Sequence, residues 1–254
     1  MEPWRTALVD SRDGEIWIRG RNVASLMRTA TFTDTIFLLH RGRLPDARER
    51  RLLDAILTSS SDHGSGAPSC ATARMAASGN RQSLSAAVAA GILAIGDEHG
   101  GAGELCMRLI AFGLARAQER AIPIQAAAAE VVAEAREAGR RLPGLGHRVH
   151  RVDPRVEVLF DLARQNGREG DGVLFVRALQ KAAADTIKAM PINIDGALAA
   201  ILHDLGFPPD AAKLLFIVAR VAGLAAEVAE EHAREKPMRI RIPVEYDGVP
   251  PIAD

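Results

Sequence analysis

Four polar residues, His63, His99, His147 and Asp195, interrupt otherwise apolar helical patterns in a chain of 254 residues. His147 lies in Gly144-Leu145-Gly146-His147-Arg148-Val149, between Pro143 and Pro154. Each glycine there weakens helical structure by about 1 kcal/mol, so the stretch reads as a loop. A histidine on such a loop, beside basic side chains, faces either solvent or a ligand, and functional side chains gather on loops of this kind. Three histidines and a carboxylate raise the question of zinc. None of the spacings resembles His-x-x-x-His or Cys-x-x-Cys, and no metal is expected. No Gly-x-Ser-x-Gly elbow marks a serine nucleophile. What remains is acid–base chemistry by two histidines and an aspartate, without a cofactor.

Helices must position these residues. Thr6–Val9 and Glu15–Ile18, about an Asp13-Gly14 turn, predict an opening β-hairpin. After Gly20 the apolar spacing is helical: Val23, Leu26 and Met27, then Phe32, Ile36, Phe37 and Leu39. Gly42 and Pro45 end that helix, and Asp46 can cap the next, which carries Leu52, Leu53, Ile56 and Leu57. A serine- and glycine-rich stretch over residues 59–66 bears His63. A helix over 83–95, apolar on all its faces, implies close packing against other helices or a partner subunit, and it runs into the glycine-rich segment around His99. Further helices are expected at about 125–139, 154–165, 173–188, 194–205 and 209–234, with Asp195 able to cap the fourth of these. The tail over 237–254, with four prolines, is expected to lie extended across a surface. The fold class is mainly α.

With 48% hydrophobic and 25% charged residues, the composition is that of a globular protein. The formal net charge of zero gives no basic field for nucleic acid or an anionic membrane. The run over 84–95 is too short for a bilayer. Cys70 and Cys106 offer no disulfide framework, and with no signal-peptide core at the N-terminus a reducing, cytoplasmic setting is expected.

Several segments, in one order, resemble the citrate synthase superfamily over nearly the whole chain. Ser61-Asp62-His63 with Ala71-Thr72-Ala73-Arg74 resembles its Asp-His segment. His99-Gly100-Gly101-Ala102-Gly103-Glu104 is similar to its His-Gly-Gly-Ala-Asn-Glu motif, with Gly103 in the asparagine position. Gly144-Leu145-Gly146-His147 through Asp153-Pro154-Arg155, then Asn193-Ile194-Asp195-Gly196 and the Arg220 helix, complete the series. Short length, Asp62-His63-Gly64 and Asn193-Ile194-Asp195-Gly196 look most like the citryl-CoA lyase branch, whose module also forms the C-terminal end of ATP-citrate lyase.

The resemblance implies a two-lobed helical fold with a short N-terminal β-hairpin. The large lobe would comprise 1–104 and 210–254, and a small lobe on the coenzyme A side would span 105–209. It further implies cleavage of citryl-CoA to acetyl-CoA and oxaloacetate, with His147 as base on the tertiary hydroxyl, His99 as donor to the thioester oxygen and Asp195 as acid at the enol carbon. His63, Arg155 and Arg220 would hold substrate carboxylates, and Gly144, Leu145 and Gly146 would lie against coenzyme A, their glycines leaving room for it. Coenzyme A enters as a thioester substrate, so no separate cofactor is implied. The implied partners are an acyl-CoA, a 2-oxo acid, a second copy in a homodimer or higher oligomer, and a CoA ligase. One departure is Lys236-Pro237-Met238-Arg239, where the family carries Arg-Pro: lysine keeps the charge and loses the bidentate fork unless Arg239 compensates. The acid therefore stays open among citryl-, 2-methylcitryl- and citramalyl-CoA, as do a synthase direction and a non-catalytic acyl-CoA-binding role.

Overall fold

The computed structural model describes residues 2–146 and 153–249. The chain opens with a three-stranded antiparallel sheet in the order β1 (Val9–Arg12), β2 (Glu15–Ile18), β3 (Arg21–Asn22). Asp13 and Gly14 adopt φ of 53° and 78°, so a two-residue turn closes the hairpin and sets Arg12 opposite Glu15. That register places β1 at 9–12 rather than at the expected 6–9, because a tight turn leaves no slack between strand and corner.

The described remainder is helical. Helix α1 (Val23–Thr29) is followed by α2 (Phe32–Arg41) and α3 (Ala47–Ser60), whose N-termini carry reciprocal capping boxes from Thr31 with Asp34 and from Asp46 with Glu49. Next come α4 (Pro68–Gly79), α5 (Leu84–Leu93), α6 (Ala102–Glu119) and α7 (Ile124–Glu137). The last four are α8 (Pro154–Gln165), α9 (Asp171–Thr186), α10 (Ile194–Asp204) and α11 (Asp210–Arg234). Helix α4 had no periodic apolar stripe to announce it; small residues, with Pro68 in the first turn, build it. Residues 237–249 form no helix or strand and are mostly exposed, as the prolines led one to expect.

The main core includes Met107, Ile110, Phe160, Phe175 and Leu198 from α6, α8, α9 and α10. It also takes Phe37 and Leu52 from α2 and α3 and Leu215 from α11, so apolar packing is continuous across residues 104/105 and 209/210. A second cluster of small side chains, among them Cys70, Ala73 and Ala87 with Leu224, joins α4, α5 and α11. There Gly91 lets α5 approach so closely that a Cβ would meet Ser69 O and Leu224 at 2.9 Å. Asp204 of α10 caps the start of α9, accepting from the N–H groups of Gly170, Gly172 and Val173 at 2.7–3.2 Å. Among the described residues no helix is long and apolar enough to cross a membrane.

Candidate active site

His99 stands on a turn between α5 and α6. Gly96 and His99 exchange backbone hydrogen bonds at 3.0 Å, which folds the chain back in one step. Gly100 has φ +83°, and a Cβ on it would strike the Phe216 ring at 2.4 Å. The glycines therefore seat the histidine against α11. Gly103, in the family's asparagine position, lies so close to Leu198 and Ala212 that a Cβ would meet them at 3.0 and 3.4 Å. A side chain of asparagine size would displace core residues there.

The ring of His99 is held from behind. Its Nε2 receives the backbone N–H of Ser69 at 3.3 Å and lies 2.9 Å from Ser69 Oγ. Ser69 is in the first turn of α4, where N–H groups have no partner within the helix, and Ala67 at the cap supplies no side-chain acceptor. In the tautomer whose Nε2 accepts this N–H, the ring proton is on Nδ1. Arg220 of α11, only 2% exposed, donates from Nη1 to Ser69 Oγ at 3.1 Å and from Nε to Ser60 O at 3.0 Å. Its guanidinium lies 4.9 Å from the centroid of Phe216, whose ring meets His99 edge-on at 6.3 Å.

Asp195 lies in the first turn of α10, behind the Asn193 cap. A helix N-terminus favours a carboxylate, but burial prevails and pushes its pKa up to about 6. Among its neighbours, Arg155 and Arg220 pull it down and Asp153 pushes it up. The residue as a whole is partly exposed, yet Oδ1 is sealed from solvent with no hydrogen-bond partner among the described residues. A carboxyl group that is costly to ionise and incompletely satisfied is suited to proton transfer near neutral pH.

Arg155, expected to clamp a substrate carboxylate, is engaged by the protein itself. Its Nε and Nη2 grip buried Asp153 at 2.9 and 2.7 Å, and Nη1 donates to Ser59 O at 3.1 Å. His63 lies on the exposed loop before α4, its backbone hydrogen-bonded to the Cys70 sulfur. Gly223 of α11 seats that loop, since a Cβ there would strike Ser61 O at 2.2 Å.

Gly144, Leu145 and Gly146 form a short patch with the chain before α10: Leu145 bridges Ile192, and Gly146 N–H donates to Pro191 O at 2.7 Å. The space at Gly144 is taken by the protein, because a Cβ would meet Cys106 Sγ at 2.5 Å and Gly196 at 2.9 Å. Among the described residues none comes within 4 Å of a Cβ built on Gly146. Beside this patch is a cleft of about 500 Å³ whose lining includes Glu98, Arg140, Arg141, Leu145, Lys188 and Asn193. His147 lies outside the described residues.

Lys236 and Arg239 do not join this cluster within one chain. From Arg220 to Arg234 the helix climbs about 21 Å at ~1.5 Å per residue, and both follow its end. Lys236 is exposed, and Arg239 grips buried Glu231 at 2.9 and 2.6 Å, so the anticipated substitution of Arg239 for a family arginine meets a structural ion pair. Among the described residues, those whose ligand atoms converge as for a metal ion are Asp62, Cys70 and Glu227, within 4.8 Å of one another. Glu227 is engaged by Arg74 at 2.5 Å, and burial pushes the Cys70 thiol up, so this group is a poor ion trap. Nothing local in the sequence shows that Ser69 will meet His99 thirty residues on, and the Asp153-Pro154-Arg155 motif does not by itself show that its own acid and arginine will pair.

A family model described as citrate synthase, C-terminal domain, matches residues 45–241. A solved citryl-CoA lyase from Hydrogenobacter thermophilus is 37% identical with a TM-score of 0.91, over 99% of this chain and 97% of that one. An ATP citrate lyase from Methanosaeta concilii, 20% identical, shares the fold with a TM-score of 0.79 over 97% of this chain and 43% of its own. The citrate synthase of Deinococcus radiodurans is 27% identical over 90% of this chain and 59% of its own length. The chain thus spans about three fifths of that curated relative.

Proposed function

The chain belongs to the citrate synthase family, and from that premise we propose that it cleaves citryl-CoA to acetyl-CoA and oxaloacetate. The observation that carries this reading is the likeness to the Hydrogenobacter thermophilus citryl-CoA lyase, which is nearly end to end in both chains. The reaction is a retro-Claisen cleavage. His147 accepts the proton of the tertiary hydroxyl, whose oxygen becomes the ketone of oxaloacetate. The bond to the thioester methylene breaks, and its electron pair passes toward the thioester oxygen. The Nδ1–H of His99 donates to that oxygen as charge develops, its tautomer set by Ser69 and backed by Arg220. Protonated Asp195 then delivers its proton to the enol carbon, which releases acetyl-CoA. Run backwards, ionised Asp195 takes a proton from the acetyl methyl group.

Arg220 and Arg155, with His63, hold the substrate carboxylates. Arg155 spends three of its five N–H donors on Asp153 and Ser59, leaving two for a ligand. Coenzyme A lies along Gly144–Gly146, where Lys188, Arg140 and Arg141 suit its phosphates. The small lobe, residues 105–209, closes over it against 1–104 and 210–254. The proposal asks for no metal or redox cofactor and for a cytoplasmic setting. Its homodimer rests on α5, an almost wholly apolar helix that leaves Leu84 and Leu93 57% and 85% exposed. In such a dimer Lys236 serves the partner's site. A CoA ligase as partner is favoured by the match to a probable ATP-citrate synthase of Caenorhabditis elegans, of which this chain corresponds to 18%.

Purified protein mixed with citryl-CoA is expected to release oxaloacetate, read as NADH consumption by coupled malate dehydrogenase. Citrate made from acetyl-CoA and oxaloacetate, with no such release, would move the assignment to a synthase. Tight coenzyme A binding without turnover of any of the three acyl-CoA candidates would make it a binding protein.

A further inference from the structure

Asn193 makes three bonds that tie two catalytic segments together. Its backbone N–H donates to Gly144 O at 3.0 Å, its Nδ2 donates to Gly146 O at 2.8 Å, and its Oδ1 accepts from Gly196 N–H at 3.1 Å. Gly196 is covalently next to Asp195, and Gly146 is covalently next to His147. One planar amide therefore spans the residue after the acid and the residue before the base. The two segments meet without spacers, since a Cβ on Gly196 would strike Gly144 O at 2.4 Å. An N-cap needs only an acceptor, which serine or aspartate supplies equally well. The donor half of the amide has no part in capping, and it is spent on the loop.

We propose that Asn193 is a positioning residue, whose amide locks the Gly144–Gly146 turn to the helix carrying Asp195 so that the chain enters His147 at a fixed place relative to the acid. This rests on the lyase reading for its catalytic consequence, though not for the clamp itself. Few side chains other than asparagine combine the reach with one donor and one acceptor on a rigid group.

The test compares Asn193→Ser, which keeps a cap acceptor and loses the loop donor, with Asn193→Ala, which loses both. Three readouts are taken: thermal midpoint, kcat and KM for citryl-CoA, and amide hydrogen exchange over residues 142–146. Under the proposal Asn193→Ser melts within a few degrees of wild type, while kcat falls about 10- to 100-fold with KM changed less than about threefold. Exchange over 142–146 quickens in both variants. A merely structural cap predicts the opposite split, with Asn193→Ser active as wild type and Asn193→Ala alone impaired, and that result overturns the proposal. Unchanged exchange over 142–146 in Asn193→Ser overturns it too, whatever the substrate. Wild-type protein inactive on citryl-CoA refutes the lyase reading separately, because the exchange arm still decides the clamp.

Discussion

Two corners of the site are built in opposite ways. Around His99 the protein is finished without a ligand: Ser69 fixes the ring, Arg220 braces Ser69, and Phe216 packs against both. Around Asp195 it is unbalanced, with a sealed carboxylate oxygen that has no hydrogen-bond partner among the described residues and burial prevailing over two nearby arginines. A group that only donates a hydrogen bond gains from preorganisation, since it need not rearrange as charge develops. A group that must release a proton gains from an environment in which neither form is fully satisfied. The first corner is a fixture, the second a poised charge.

Four experiments press on that contrast. Asp195→Asn should have the largest effect, lowering cleavage by about 10²–10⁴-fold in steady-state assays with the circular dichroism unchanged; full activity would dismiss the poised-charge corner. Next, wild-type kcat/KM for cleavage should fall up to about tenfold per unit as pH rises above about 6, because cleavage needs the protonated acid. The condensing direction should show the reverse limb. Ser69→Ala strips the brace from His99 and takes an acceptor from Arg220, and should cost roughly 10- to 100-fold in kcat; no loss would mean that the backbone N–H suffices.

The smallest effect is on stability. Asp195's folded pKa stands above its ordinary value of 3.8, so the folded state binds the proton more tightly than the unfolded one. The stability this confers is present below pH 4 and is lost as pH rises through about 6. Asp195→Asn should accordingly unfold at higher denaturant than wild type at pH 8, by on the order of 2–3 kcal/mol, with the gap closing below pH 4. A less active yet more stable protein is the signature of a charge held for function.

Much of the architecture could be read along the chain. The Asp13-Gly14 turn, the Asp46 cap and the helices of α8 and α10 stand where their local signals put them. The shift of β1 and the unannounced α4 show where that reading thins: a weak alternation lost to turn geometry, and an alanine-rich segment had no stripe to betray it. In the site, His99, Asp195 and Arg220 were legible as motif residues. The ion pairs that engage Arg155 and Arg239 were not, since Asp153 looks like an ordinary helix cap and Glu231 like an ordinary acid near a helix end until packing buries them.

By itself the sequence determined what depends on a few neighbouring residues: which glycines allow positive φ, which side chains cap a helix start, and which faces are apolar. Those are short-range steric and hydrogen-bond constraints, and they act wherever the segment ends up. Only the tertiary structure decided that Ser69 would meet His99 across 30 residues and Arg220 across 151. It also decided that the space at Gly144 would be taken by Cys106, and that Asp195 would hold its proton to about pH 6. A tautomer and a pKa are set by what surrounds a group once water has been excluded, and that surrounding exists only after distant parts of the chain have packed together.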